Sequence, residues 1–182
     1  MEIILLRHGK PKVELNGRIR PVDFKQLVTV YAESEIQDSP PLHLKEQFTS
    51  HYVVCSHLQR SIHSAKKLGC KEIHLSEPLF AETDIPFFDK MSIKLPVIAW
   101  LIIFRVMWLF GFNKNGESFS QAKIRAKEAA QKLIDLAEEN EKVILVGHGV
   151  MNRLIATQLR INNWKGPGSP GRKYWEYGCY KY

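Results

Sequence analysis

The chain has 182 residues, 45% of them hydrophobic, which suits one domain burying about 70% of its unfolded surface and excludes wholesale disorder. Lysine and arginine number 26 against 19 aspartates and glutamates, a formal charge of +7 that favours anionic ligands without naming one. Three scattered cysteines (Cys55, Cys70, Cys179) exclude a disulfide scaffold, and charge within the first eight residues does not suit a signal peptide, so a cytoplasmic protein is expected.

Residues 3–6 form an apolar run ending in Arg7-His8-Gly9, the pattern of a buried strand followed by a sharp turn. A second run at 52–55 ends at Ser56. Beyond it Leu58, Ile62, Ala65 and Leu68 recur at helical spacing until Gly69 stops them. A brief strand is expected at 72–75. Residues 95–112 are almost wholly apolar, with Trp100, Phe104 and Trp108 on one helical face and Pro96 and Arg105 as interruptions. A buried or site-covering helix, an oligomer surface such as a homodimer contact, and membrane association all remain open for this segment; the central charge makes a membrane the least favoured. Ser118 and Gln121 resemble a capping box opening a long amphipathic helix that reaches about residue 140. A third apolar strand at 142–146 stops at Gly147-His148-Gly149, a helix is expected over 150–159, and an aromatic-rich strand over 175–182. Strands alternating with helices argue a layered α/β domain spanning residues 1–182.

Three of these strands end in polar residues: Arg7-His8, then Ser56 with Arg60 shortly after, then Gly147-His148. Ligands of open α/β sheets gather beyond the carboxyl ends of the strands, so neighbouring strands would bring two imidazoles and two guanidiniums to one pocket. Arginine offers a planar fork of donors for a phosphate, and imidazole a nitrogen able to act as nucleophile or base near neutral pH. The basic stretches at 123–132 and 165–173 are interleaved with apolar or acidic residues, and no nucleic-acid-binding motif accompanies them, so no nucleic acid partner is expected. No metal site is expected either. His57 and His63 are six positions apart, off a shared helical face, and no Cys-x-x-Cys pair exists.

Leu6-Arg7-His8-Gly9 resembles the signature of the histidine phosphatase superfamily, the phosphoglycerate-mutase-like proteins. Residues 56–65 resemble that family's Ser-x-Leu-x-Arg-Ala-x-x-Thr-Ala segment, with Ser61 and Ser64 in place of Ala and Thr. Ala81-Glu82-Thr83-Asp84 stands where the family has its acidic loop, Gly116-Glu117-Ser118 matches its Gly-Glu-Ser, and Val146-Gly147-His148-Gly149 is similar to its second histidine motif. The resemblance implies a three-layer α/β/α sandwich around a mostly parallel sheet, with residues 86–116 as a hydrophobic helical lid or insert. It implies a cofactor-free, metal-independent phosphomonoester hydrolase for a small phosphorylated molecule. His8 would be the nucleophile and Glu82 the proton donor, with Arg7, Arg60 and His148 gripping the phosphoryl oxygens. A protein-directed phosphohistidine phosphatase, a phosphate-binding scaffold and a phosphoglycerate-type mutase are the alternatives. Lys10-Pro11 departs from the usual Glu-Thr or Glu-Ser. Glu14 replaces a phosphate-contacting Asn, a role that Asn16 would fill, and Arg18 keeps a common basic position. The acidic loop lacks its usual Trp-Glu-Gly, which makes Asp84 the alternative acid.

Overall fold

The computed structural model describes residues 1–88, 91–114 and 116–182. Positions 89, 90 and 115 of the expected insert lie outside the described residues.

Strands β1 (Glu2–Arg7), β3 (Tyr52–Ser56), β4 (Leu75–Glu77), β6 (Lys142–Gly147) and β7 (Tyr177–Lys181) make a five-stranded sheet in the order β4-β3-β6-β1-β7. All neighbours are parallel except β7, which runs antiparallel along the edge of β1. The last parallel strand therefore slots between the first two. A two-residue pairing of β2 (Arg18–Ile19) with β5 (Leu95–Pro96) lies apart from this sheet.

Both faces of the central strands are covered, which is why they read as unbroken apolar runs. Ile3, Leu5, Val54, Val143 and Leu145 face α5 (Phe119–Asn140) and α6 (Gly149–Ile161), whose Ala126, Ala130, Leu133, Met151 and Ile155 join the same cluster. Ile4, Leu6, Val53, Cys55, Ile144 and Val146 face the other way, onto Leu44 of α2 (Leu42–Gln47) and Ala65 of α3 (Gln59–Lys67). The alternation is the two-residue period of a pleated strand. This is the expected three-layer sandwich around a mostly parallel sheet.

The remaining helices, α1 (Phe24–Glu33) and α4 (Val97–Leu109), form a separate apolar cluster centred on Phe24, Trp100 and Phe104. The aromatic face of α4 turns into the fold: Trp100 is 3% exposed and Phe104 and Trp108 are fully buried. The indoles of Trp100 and Trp108 donate to the carbonyls of Ile19 and Glu117. Its outer face leaves Ile98, Ile102 and Val106 exposed. Among the described residues no helix is long and apolar enough to cross a membrane.

Several elements differ from the expectation. The strand expected at 72–75 forms three residues later, at Leu75–Glu77. The last strand starts at Tyr177, because Trp175 takes φ 65°, a left-handed conformation that breaks the extended run. Helices α1 and α2 were not foreseen.

Candidate active site

Strands β1, β6 and β3 are direct neighbours and end in step, with Arg7 opposite Gly147 and Cys55 opposite Val146. His8, Ser56 and His148 therefore emerge together at the carboxyl end of the sheet, and the two imidazole centroids lie 5.0 Å apart. Arg60, one residue into α3, joins them with only 3% exposure.

A backbone carbonyl fixes the tautomer of His8. His8 Nδ1 lies 2.7 Å from the carbonyl oxygen of Gly9, which can only accept, so Nδ1 carries the proton and Nε2 keeps its lone pair. Gly9 is confined to glycine, since a Cβ there would overlap the Trp175 indole and the Asp38 carboxylate. His148 Nε2 lies 2.6 Å from Ser56 Oγ, which already accepts from Leu58 N–H. We assign the Ser56 hydroxyl as donor to Nε2, leaving the imidazole proton on Nδ1. Burial, reinforced by repulsion from the like charge of His148 on His8 and of Arg60 and Arg7 on both rings, holds both pKa values well below the usual 6.5. Both imidazoles are neutral at pH 7.

The donors around them are under-used. Arg60 Nη1 donates to the carbonyls of Tyr31 and Ala32, and Arg7 Nη1 to that of Arg172. Arg7 Nε, Arg60 Nε and His148 Nδ1 are buried with no hydrogen-bond partner among the described residues. Nor does any described carboxylate pair with either guanidinium at ion-pair distance. Buried donors and unpaired cations of this kind are costly unless an anion completes them.

Glu82 reaches the site from the loop after β4. Its Oε1 accepts from the backbone N–H of Thr83 and Met151 at 3.0 Å, and its Oε2 from Val150 at 3.1 Å, so it caps the start of α6. Burial pushes its pKa up, but the Arg105 charge and those backbone donors outweigh it and hold the carboxyl below its usual range. Arg105 of α4 itself donates to Thr83 Oγ1 at 2.7 Å. Asp84 is exposed, and its carboxylate is committed to Glu117 N–H at 3.0 Å.

A cavity of about 420 Å³ opens over this end of the sheet, with Arg7, Arg60, Glu82 and Tyr174 on its wall. Neither imidazole lines it. Tyr174 stands between, its ring 5.7 Å from that of His8 and 4.4 Å from the Arg7 guanidinium.

Arg7, His8, Arg60, Glu82 and His148 are thus brought together. Asn16 and Arg18 are not: both are exposed, Asn16 donating to Glu14 and Arg18, carried outward by the β2–β5 pairing, to the Lys94 carbonyl. The aromatic face of α4 does not line the cavity either; Leu101 and Arg105 do. Tyr31, Tyr174, Arg105 and Asn152 escaped the sequence reading. Of these only Arg105 left a signal, as the lone charge in an apolar helix.

The family model described as the histidine phosphatase superfamily (branch 1) matches residues 3–167. Among curated proteins, none matches the chain by sequence. The open reading frame Rv3214 from Mycobacterium tuberculosis superposes with a TM-score of 0.62 at 18% identity, over 98% of this chain and 89% of that one. The mycobacterial glucosyl-3-phosphoglycerate phosphatase Rv2419c, in complex with VO3, gives 0.62 at 17%, over 98% and 91%. The Entamoeba histolytica phosphoserine phosphatase, in complex with 3-phosphoglyceric acid, gives 0.55 at 24%, over 88% and 80%. These likenesses bear on the fold, and the family match on descent: the chain belongs to the histidine phosphatase superfamily, branch 1, and is an enzyme of that family.

Proposed function

We propose that the chain hydrolyses a small phosphomonoester through a phosphohistidine formed on His8. The observation that carries this reading is the set of buried, unpaired donors of Arg7, Arg60 and His148 grouped around a neutral imidazole with a free Nε2 lone pair. A tetrahedral oxyanion supplies the acceptors that these groups lack.

In the first step His8 Nε2 attacks phosphorus; the N–P bond forms as the bond to the leaving oxygen breaks. The guanidiniums and His148 Nδ1–H stabilise the equatorial oxygens. Glu82 protonates the departing alkoxide. It is ionised in the free protein, and the phosphoryl dianion arriving beside it raises its pKa, so its proton arrives with the substrate. In the second step Glu82 takes a proton from water, the hydroxide attacks phospho-His8, the N–P bond breaks and phosphate leaves. Tyr174 must move aside for His8 to be reached. The enclosure of the cavity by α1 and α4 favours a small molecule over a protein substrate.

The test is to quench turnover of a labelled phosphoester in alkali and map the label. An acid-labile phosphoryl group on the His8 peptide, with its loss and loss of turnover in His8→Ala, is the expected outcome. Undiminished hydrolysis by His8→Ala would overturn the reading.

A further inference from the structure

The walls of the cavity change character away from the phosphoryl end. Beyond Arg7, Arg60, Glu82 and Tyr174, they are built from Leu15, Phe24, Leu27, Val28, Ile85 and Leu101. Leu27 and Val28 come from α1 and Leu101 from α4, so two helices oppose apolar side chains across the space.

The polar side chains on this outer wall are partly committed within the protein. Arg105 Nη1 donates to Thr83 Oγ1 and to the Asp84 carbonyl, and the Asp84 carboxylate accepts from Glu117 N–H. Exposed His57 also lines the cavity. A leaving group carrying several hydroxyls would lose water against these six apolar side chains and gain no partner from them, which disfavours it by roughly tenfold or more. A hydrocarbon would gain contact with all six.

We propose that the leaving group is an apolar alcohol, so that the substrate class is the monophosphate of an alkyl, prenyl or aryl alcohol. This rests on the hydrolase reading above and names its specificity. Size agrees with it. About 150 Å³ of apolar space holds a benzene-sized group, so the cavity of about 420 Å³ accommodates a phosphoryl group and a hydrocarbon chain of about six to eight carbons.

The experiment is a series of n-alkyl phosphates from ethyl to octyl, compared with glycerol 3-phosphate and phosphoserine. The leaving-group pKa barely changes along the alkyl series, so differences in kcat/KM report binding in the cavity. Each added methylene that enters apolar surroundings is expected to raise kcat/KM by about fourfold until the space is filled. The two polar esters should fall below ethyl phosphate. Leu101→Gln and Leu27→Gln should each reduce the octyl-to-ethyl ratio, and two positions on different helices guard against one variant failing to fold. Measurable turnover that does not depend on chain length, or that favours phosphoserine, would overturn the proposal while leaving the hydrolase intact. Binding of n-alkylphosphonates, which cannot be hydrolysed, separates the two readings. If no ester is turned over, dissociation constants that fall along the phosphonate series still support the apolar subsite, and constants that stay level overturn it.

Discussion

His8 and His148 sit where an imidazolium would meet both burial and two guanidiniums, and this has a sign that equilibrium unfolding can read. Above pH 6.5 both rings are neutral, folded or unfolded, and neither contributes to pH dependence. Below it the unfolded chain binds protons that the folded chain refuses, so stability falls as pH falls, by about 1.4 kcal/mol per pH unit for each ring until its depressed folded pKa is reached. Urea midpoints measured between pH 7.5 and 5 should therefore drop, and the drop should shrink in a His8→Asn, His148→Gln double variant. Glu82, whose pKa is lowered, adds its own loss only below about pH 4.5, outside that window. The same depressed pKa keeps His8 nucleophilic in mildly acidic solution, so kcat/KM, once corrected for ionisation of the ester itself, should show no loss centred at 6.5.

The start of α6 is a junction between elements. Asn152, 1% exposed, donates through Nδ2 to the Leu6 carbonyl of β1 and accepts at Oδ1 from His148 N–H. A Cβ on Gly147 would overlap that same Oδ1. Asn152→Ala leaves the buried His148 N–H without its acceptor and removes one donor from the Leu6 carbonyl, and is expected to cost about 1–3 kcal/mol in urea unfolding and to lower kcat. How far such elements can be read in the sequence depends on whether their signal is local. Helix α5 begins at Ser118 with the expected Ser118–Gln121 capping box, and its alanines at three- and four-residue spacing are the buried ones. Strands β1, β3 and β6 are legible because burial on both faces makes them apolar throughout. Helix α1 was not, since its Val28 and Val30 are exposed and its first turn has no side-chain cap, which leaves its stability to packing on α4. The anion cradle was legible because each member follows a strand at a fixed offset. Tyr31 and Tyr174 reach it from a helix and a loop that no local pattern connects to those strands.

At the scale of the molecule, chemistry and enclosure rest on different foundations. The residues that meet the phosphoryl group hang from the middle of the sheet, between two apolar clusters that include its central strands. The walls meeting the leaving group hang from the third cluster, under α1 and α4, which shares no buried residue with the other two. Cooperative units of this kind exchange amide hydrogens at separate rates. In deuterated buffer, the amides of Leu5 and Leu145 should be replaced only on global unfolding, and those of α1 and α4 orders of magnitude sooner; equal protection would refute this. If the slower unit never breathes while the faster one does, admission of ligand can limit the rate, and added viscosity should slow turnover of good esters while sparing poor ones.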